Sequence, residues 1–219
     1  MAIHLQEEID QLKRAIMLQS TLVEESVQKA VQAVGNGDTE LAAAVIENDA
    51  TINQREVELE EDCLKVLALH QPVATDLRFI VSLIKINSDL ERIGDVAANI
   101  ARRTIAFAAI AHGEAPFDFS LMASLVLEML GKSLRSLVYL DAPMARTVIA
   151  ADDKIDAMHR QTYVLVKGNI GDSSKCMDEM LLWLALSRHL ERVADLAAHI
   201  AEDIVYMIDG TIVRHGSAG

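Results

Sequence analysis

Aromatic residues, prolines and cysteines are scarce in this 219-residue chain, and each scarcity excludes a class of protein. Aromatic side chains make up 4% of the residues and there are three prolines, so the alternating strands of β-sandwiches and barrels are not expected. The two cysteines, Cys63 and Cys176, stand alone in the sequence. They cannot form a disulfide framework, and we expect them to be buried free thiols.

Basic residues are also few, because 20 Lys and Arg against 33 Asp and Glu give a net charge of −13. A strongly anionic protein is repelled by nucleic acids and by anionic membranes, so neither is an expected partner. A site for free phosphate would have to gather arginines locally against this charge, and the sequence shows no such basic nest. Glycine-rich phosphate loops and base-activated nucleophiles are missing too, so we predict no catalytic residue and no enzyme.

Long hydrophobic runs are absent as well. No stretch of about 18 uncharged apolar residues occurs, so no membrane span is predicted. Residues 1–10 are polar and acidic, unlike a signal peptide. We therefore expect a cytoplasmic protein.

Glycine and proline divide what remains into six predicted helical segments. The first ends at Gly35–Gly37, where glycine can adopt the left-handed conformation of a helix end, and Asp38 can cap the second. Pro72 is predicted to open the third segment, with Asp76 in its first turn, and Ser120 to cap the fourth. The segments run over about 5–34, 39–69, 72–111, 120–141, 143–168 and 174–209.

The strongest internal signal is a duplication. Residues 90–101 have the sequence LERIGDVAANIA and residues 190–201 have LERVADLAAHIA, identical at eight of twelve positions with an offset of 100. Residues 45–53, VIENDATIN, match residues 148–156, VIAADDKID, with an offset of 103. Because two separate segments repeat in the same order at nearly the same offset, the chain is predicted to contain two copies of one three-helix unit.

We therefore predict an all-α fold of two tandem antiparallel three-helix bundles related by an internal pseudo-twofold axis. Six long helices form the two bundles. The first bundle is expected to span residues 1–113 and the second residues 114–210. Residues 211–219 are expected to form a flexible tail.

Acidic residues recur four apart along the repeated helix, at the edge of its apolar stripe. Glu91 and Asp95 form this line in the first copy, and Glu191, Asp195 and His199 form it in the second. Carboxylates four residues apart share a helix face and can converge on one cation. The preceding segment of each half adds further ligands, which are Asp49 and Asn53 in the first half and Asp152 and Asp156 in the second. Such oxygen ligands suit Mg, Mn, Fe or Ca, and a histidine widens the choice to Zn.

The same acidic residues also have a structural explanation. Arg92 lies three residues from Asp95, and Arg188 lies three residues from Glu191, which are the spacings of ordinary surface ion pairs. The duplication of the pattern is the argument for a metal site, and both interpretations stay open. His159 is best explained as an exposed or hydrogen-bonded histidine without a ligand role.

Three motifs resemble the PhoU family. They are Pro72-Val-Ala-Thr-Asp-Leu-Arg78, Asp89-Leu-Glu-Arg-Ile-Gly-Asp95 and Leu190-Glu-Arg-Val-Ala-Asp195. The resemblance covers almost the whole chain, including the order of the two halves and the glycine that ends the last helix. For the first motif, simple helix initiation is also a sufficient explanation.

The resemblance implies a fold of two tandem three-helix bundles, often dimeric, and no catalytic activity. It implies an adaptor that links the ATPase subunit of the phosphate ABC transporter to a sensor histidine kinase, and that keeps the phosphate regulon off when phosphate is ample. Family members that bind iron, zinc, magnesium or manganese use the acidic motifs, which here are Asp49, Glu91, Asp95, Asp152, Asp156, Glu191 and Asp195. Asn53 and His199 depart from the family pattern, so equal metal loading of the two bundles is not expected.

Two other functions stay open. One is a metal-carboxylate enzyme or metal store, although the di-iron motif Glu-x-x-His is missing. The other is a structural interaction module that binds no metal.

Overall fold

The computed structural model describes residues 2–108, 115–169 and 174–212. Within them the chain forms seven α-helices and no strand, which confirms the predicted all-α class. The predicted fifth segment is divided in two at Ala150, so two short helices take the place of one long one. The helices are α1 (Ala2–Asn36), α2 (Thr39–His70), α3 (Ala74–Ala108), α4 (Phe119–Tyr139), α5 (Ala142–Ile149), α6 (Asp152–Asn169) and α7 (Ser174–Asp209).

Three helices begin at aspartate caps. The side chains of Asp38, Asp118 and Asp141 cap α2, α4 and α5, each accepting a 2.9 Å hydrogen bond from the backbone amide three residues later. Asp38 was predicted in this role. The prediction of Ser120 as the cap of α4 is wrong, because Asp118 binds the Leu121 amide and Ser120 already lies inside the helix.

The turn between α2 and α3 differs from its prediction. Pro72 does not open α3, since the helix begins at Ala74. Gln71 and Ala74 adopt left-handed conformations, with φ of 45° and 50°, and these two residues reverse the chain around the proline. Asp76 lies in the first turn of α3, as predicted.

Two bundles are visible in the packing of the helices. Helices α1, α2 and α3 pack on one another, and α4 and α7 pack with the arm formed by α5 and α6. The bundles meet mainly along α3 and α7, and one continuous hydrophobic core runs through both. The predicted boundary at residue 113 falls outside the described residues, and only the first residues of the predicted tail are described.

Helices α3 and α7 run antiparallel across the junction. At one end the Phe107 and Trp183 rings lie 4.9 Å apart between centroids. At the other end the Arg78 Nε atom donates a 3.1 Å hydrogen bond to the Met207 carbonyl oxygen. The two copies of the repeated motif lie midway, so an approximate twofold axis crosses this helix pair.

Candidate functional site

The first candidate site lies between α2 and α3, where Gly94 permits a close approach. A Cβ atom built on Gly94 would lie 3.0 Å from Ile52 Cγ2. Ile52 is only 1% exposed, so its packing over the glycine fixes the register of the two helices. Asp49 and Asn53 flank Ile52 on α2. The same packing therefore places them on the side of α2 that faces the repeated motif of α3.

Asp49, Glu91 and Asp95 lie close enough to influence one another's ionisation. Burial raises the pKa of Asp49, and the charge of Asp95 raises it further while Arg102 lowers it. Burial also raises the pKa of Glu91, followed by the charges of Asp95, Glu56 and Asp49. Three of the predicted ligands of the first half therefore lie in the same region, but their oxygens do not all lie within 4.8 Å of one another.

Asn53 adds a neutral oxygen to this site. Its Oδ1 atom is buried and has no hydrogen-bond partner among the described residues, and the same holds for one carboxylate oxygen of Asp49. An amide oxygen can coordinate a hard cation without adding negative charge. The first site is therefore less anionic than it would be with an acid at position 53.

The second candidate site lies between α6 and α7. Ile155, 1% exposed on α6, takes the place that Ile52 has in the first site. One ligand oxygen from each of Asp152, Asp156 and Asp195 lies within 4.8 Å of the others. Among the described residues, these three form the one group of acidic, histidine or cysteine side chains whose ligand atoms lie close enough together to hold a metal ion.

The carboxylates of the second site repel one another. Burial raises the pKa of Asp152 to about 6, with further contributions from Asp195, Asp156 and Asp153. Burial also raises the pKa of Glu191, followed by the charges of Asp195 and Asp156. One oxygen of Asp152 is buried and has no hydrogen-bond partner among the described residues.

Arginines at the rim of the second site partly offset this repulsion. Arg160 Nη1 lies 3.3 Å from Asp156 Oδ2, and Arg192 Nη1 lies 3.6 Å from Asp195 Oδ2. Both arginine side chains are well exposed, so each ion pair contributes less than about 1 kcal/mol. Surface ion pairing is therefore present, but it leaves the buried oxygen of Asp152 without a partner.

His199 lies beside this site rather than within it. Its side chain is exposed and is not part of the close trio. Its charge affects Asp195 and Asp152 on one side and Asp89 on the other. The histidine thus stands between the second site and the junction of the bundles.

A polar cleft at that junction was missed by the sequence reasoning. It has a volume of about 600 Å³ and lies between α2, α3 and α7. Asp89 and Asp203 line it and are 8% and 3% exposed, and Lys85 Nζ lies 3.7 Å from Asp203 Oδ1. The only sequence signal was polar residues interrupting apolar helix faces, because their meeting depends on the α3–α7 register.

The residues of the second site fit a hard metal cation better than those of the first. Three carboxylate oxygens converge at the second site, whereas the described residues of the first site form no such close group. At both sites, however, buried oxygens (those of Asp49, Asn53 and Asp152) have no hydrogen-bond partner among the described residues. A cation would bind those oxygens and remove the repulsion that raises the acidic pKa values. Asp152, Asp156 and Asp195 would hold it in the second site, and it would supply a fixed positive charge there.

Comparison with known proteins identifies the family. The PhoU domain model matches residues 16–104 and again residues 119–204. The chain belongs to the PhoU family. The two matches coincide with the two copies of the repeat, and together they cover most of the chain.

Individual relatives agree with this assignment. The Aquifex aeolicus phosphate-specific transport system accessory protein PhoU homolog is 36% identical over 95% of this chain and 94% of its own length. The crystal structure of PhoU from Pseudomonas aeruginosa superposes with a TM-score of 0.89 at 33% identity, covering 94% of this chain and 99% of that one. For the PhoU structure from Streptococcus pneumoniae the TM-score is 0.83 at 31% identity, over 95% of this chain and 99% of the other.

Among the described helices, none combines the length and the apolar character needed to cross a bilayer. This agrees with the prediction made from the sequence.

Proposed function

We propose that this chain is a cytoplasmic accessory protein of phosphate transport that negatively regulates phosphate uptake and phosphate-starvation signalling. It would do so by linking the ATPase subunit of the phosphate ABC transporter to a sensor histidine kinase. The observation that carries the proposal is the family match over both halves of the chain, together with relatives named as phosphate-specific transport accessory proteins. As an adaptor it would act by binding and would catalyse no reaction, and it would work as a homodimer or higher oligomer.

The experiment is a pull-down with the full chain from cells grown in ample phosphate. We expect the transporter ATPase and the kinase to be recovered, and we expect deletion of the protein to increase phosphate uptake. Recovery of neither partner, combined with unchanged uptake in the deletion strain, would remove the proposal. Repeating the pull-down after phosphate starvation tests whether the complexes depend on phosphate supply.

We further propose that the acidic sites bind a divalent or transition metal, such as Mg, Mn, Fe or Zn. Asp152, Asp156 and Asp195 support this because their oxygens lie within 4.8 Å of one another and one of them is buried and unpaired. Since Asn53 makes the first site less anionic, we expect the second site to bind metal more tightly. The bound cation would stabilise the native protein by an amount that grows with the logarithm of its concentration above Kd.

The same experiment tests the metal proposal and its alternative, a metal-carboxylate store or enzyme. Mass spectrometry measures the metal content of the purified wild type and of the Asp152→Asn and Asp195→Asn variants. Asp153→Asn is the matched control, because Asp153 is the exposed neighbour of Asp152 outside the trio. Loss of metal in the first two variants alone supports the site, whereas equal metal content in all four proteins favours the metal-free interaction module. Oxidase activity that needs the metal would favour the enzyme.

A further inference from the structure

The outward face of α2 carries a line of exposed apolar side chains. Every seventh residue from position 43 to position 64 is both apolar and exposed. These residues are Ala43, Ala50, Val57 and Leu64, which we call the α2 stripe. Val57 and Leu64 are its largest members, and they are 49% and 53% exposed. Residues seven apart share one face of a helix, so the four side chains form a single apolar seam along α2.

The second repeat shows that the fold does not require an apolar seam at this place. The offset of 103 that aligns the two halves also aligns their buried residues. Ala42, Val45, Ile52, Leu59 and Cys63 correspond to Ala145, Val148, Ile155, Thr162 and Val166, and each of them is at most 3% exposed. The same offset applied to the α2 stripe gives Arg146, Asp153, Arg160 and Lys167, which are all charged and all exposed. The equivalent face of the second bundle is therefore an ordinary solvated surface, and the apolar residues are particular to α2.

Acidic side chains border the α2 stripe. The exposed charged residues between positions 47 and 65 are Glu47, Glu58, Glu60, Glu61, Asp62 and Lys65. Lys65 is shared, because its Nζ atom lies 3.9 Å from Glu61 and 3.0 Å from Asp62. Among the described residues, no basic side chain lies within ion-pairing distance of Glu47, Glu58 or Glu60. The border thus carries a negative charge that the chain itself does not neutralise.

We propose that the α2 stripe is a docking surface for a basic amphipathic helix of a partner protein. Apolar residues of that helix at heptad spacing would cover Val57 and Leu64. Its Lys or Arg side chains, on either side of the apolar seam, would pair with the acidic border. The contact is small, so the complex should be weak and reversible. The proposal does not depend on the regulatory function proposed above.

The charge of the border argues against two other occupants. Pairing the stripe with the stripe of a second copy would bring two acidic borders together, and like charges beside an apolar seam disfavour a helix pair. An anionic membrane surface would be repelled by the same border. Only a basic partner is attracted by it, and salt should weaken that attraction.

The test is fluorescence anisotropy with two labelled peptides and the full chain. Each peptide has about three heptads with leucine at the a and d positions. The flanking e and g positions are lysine in one peptide and glutamate in the other. We expect the lysine peptide to bind about tenfold tighter than the glutamate peptide, and to lose affinity when salt is raised from about 0.05 M to about 0.5 M.

Substitutions in the stripe locate the binding. Val57→Gln and Leu64→Gln should each weaken binding of the lysine peptide about tenfold, because each removes an apolar side chain that the peptide would cover. Val164→Gln is the matched control, since Val164 is an apolar residue of α6 that is 67% exposed, and it should bind like the wild type. Glu58→Gln should weaken binding of the lysine peptide and should not weaken binding of the glutamate peptide. All these side chains are exposed and glutamine is a good helix former, so the melting temperatures should match that of the wild type.

Four outcomes would overturn the proposal. Neither peptide binds the wild type, or both bind it equally well. Val164→Gln weakens binding as much as Leu64→Gln does. Alternatively, analytical ultracentrifugation shows a wild-type dimer that Val57→Gln and Leu64→Gln convert to a monomer, because the stripe would then be an interface between copies of this chain.

Discussion

Arg78, near the start of α3, closes the end of α7 against Gly210. Its Nε atom donates to the Met207 carbonyl oxygen at 3.1 Å, one of the carbonyls that a helix end leaves without a partner. Gly210 has a φ of 74°, and a Cβ atom there would lie 2.7 Å from Arg78 Nη1. Helix initiation is therefore an incomplete explanation of the first PhoU-like motif, because its last residue clamps one bundle to the other.

Replacing Gly210 with alanine should destabilise the protein. The left-handed backbone and the lost space beside Arg78 together should cost about 1–3 kcal/mol, which lowers the melting temperature by roughly 2–10 °C. Thermal unfolding followed by circular dichroism measures this. Gly168→Ala is the control, because no atom lies within 4 Å of its added Cβ, and it should change the melting temperature little. Equal effects of the two substitutions would contradict the clamp.

The ion pair across the bundle junction should contribute to stability. Asp203 is nearly buried, with a side chain 4% exposed, while Lys85 is 40% exposed. Lys85→Met should therefore cost about 1–2 kcal/mol, less than for a fully buried pair. Urea unfolding of Lys85→Met, Asp203→Asn and the double variant should give a coupling energy above about 0.5 kcal/mol. Lys65→Met is the comparison, since its pair with Asp62 is exposed, and a loss as large as that of Lys85→Met would argue against the junction pair.

Asp152→Asn should stabilise the metal-free protein at neutral and higher pH. Burial raises the folded-state pKa of Asp152 to about 6, above its ordinary value of 3.8, so the ionised carboxyl destabilises the fold. The stability contributed by the proton is present below pH 4 and is lost as pH rises through 6. Because the group is half exposed, we expect the variant to gain only about 1 kcal/mol at pH 8.

Urea unfolding in a chelator, from pH 4 to pH 8, measures this difference. The gain should shrink toward pH 4, where the native wild type carries the proton and the unfolded chain carries it in part. With metal added at pH 8 the order should reverse if the second site binds the cation. If Asp152→Asn is less stable than the wild type in chelator at pH 8, then the Asp152 carboxylate makes a favourable contact of its own.

Cys63 should be inert in the native protein. It is a buried free thiol, and burial followed by the charges of Asp62 and Glu60 raises its pKa to about 12. At pH 8 the thiolate fraction is about a thousandfold below that of an ordinary cysteine. Labelling with a disulfide reagent should be slow in the Cys176→Ser variant and rapid in urea. Fast labelling under native conditions would show that α2 opens readily.

Local sequence patterns predicted the three residues that meet in the second candidate site. The spacing of Asp152 and Asp156 on one helix and the duplicated motif that ends in Asp195 were visible in the sequence, and the fold brings their oxygens together. Such predictions succeed because residues four apart on a helix share a face whatever the tertiary structure. The burial of one Asp152 oxygen could not be predicted, since it depends on how α6 packs.

Features that depend on the packing of distant helices escaped prediction. Asp89 and Asp203 are far apart in the sequence, and only the antiparallel register of α3 and α7 places both in the polar cleft. Similarly, no sequence signal marks the left-handed conformation of Ala74, because only glycine and asparagine adopt it readily. The break at Ala150 lacks a proline or glycine, so it too was not expected.

The burial of α3 makes the two repeats depend on each other. This helix is buried around most of its circumference, because α1 and α2 cover one side and α7 covers another. A single repeat produced alone would expose apolar surface along that helix and would tend to self-associate. Each repeat therefore serves as part of the cover that the other repeat needs.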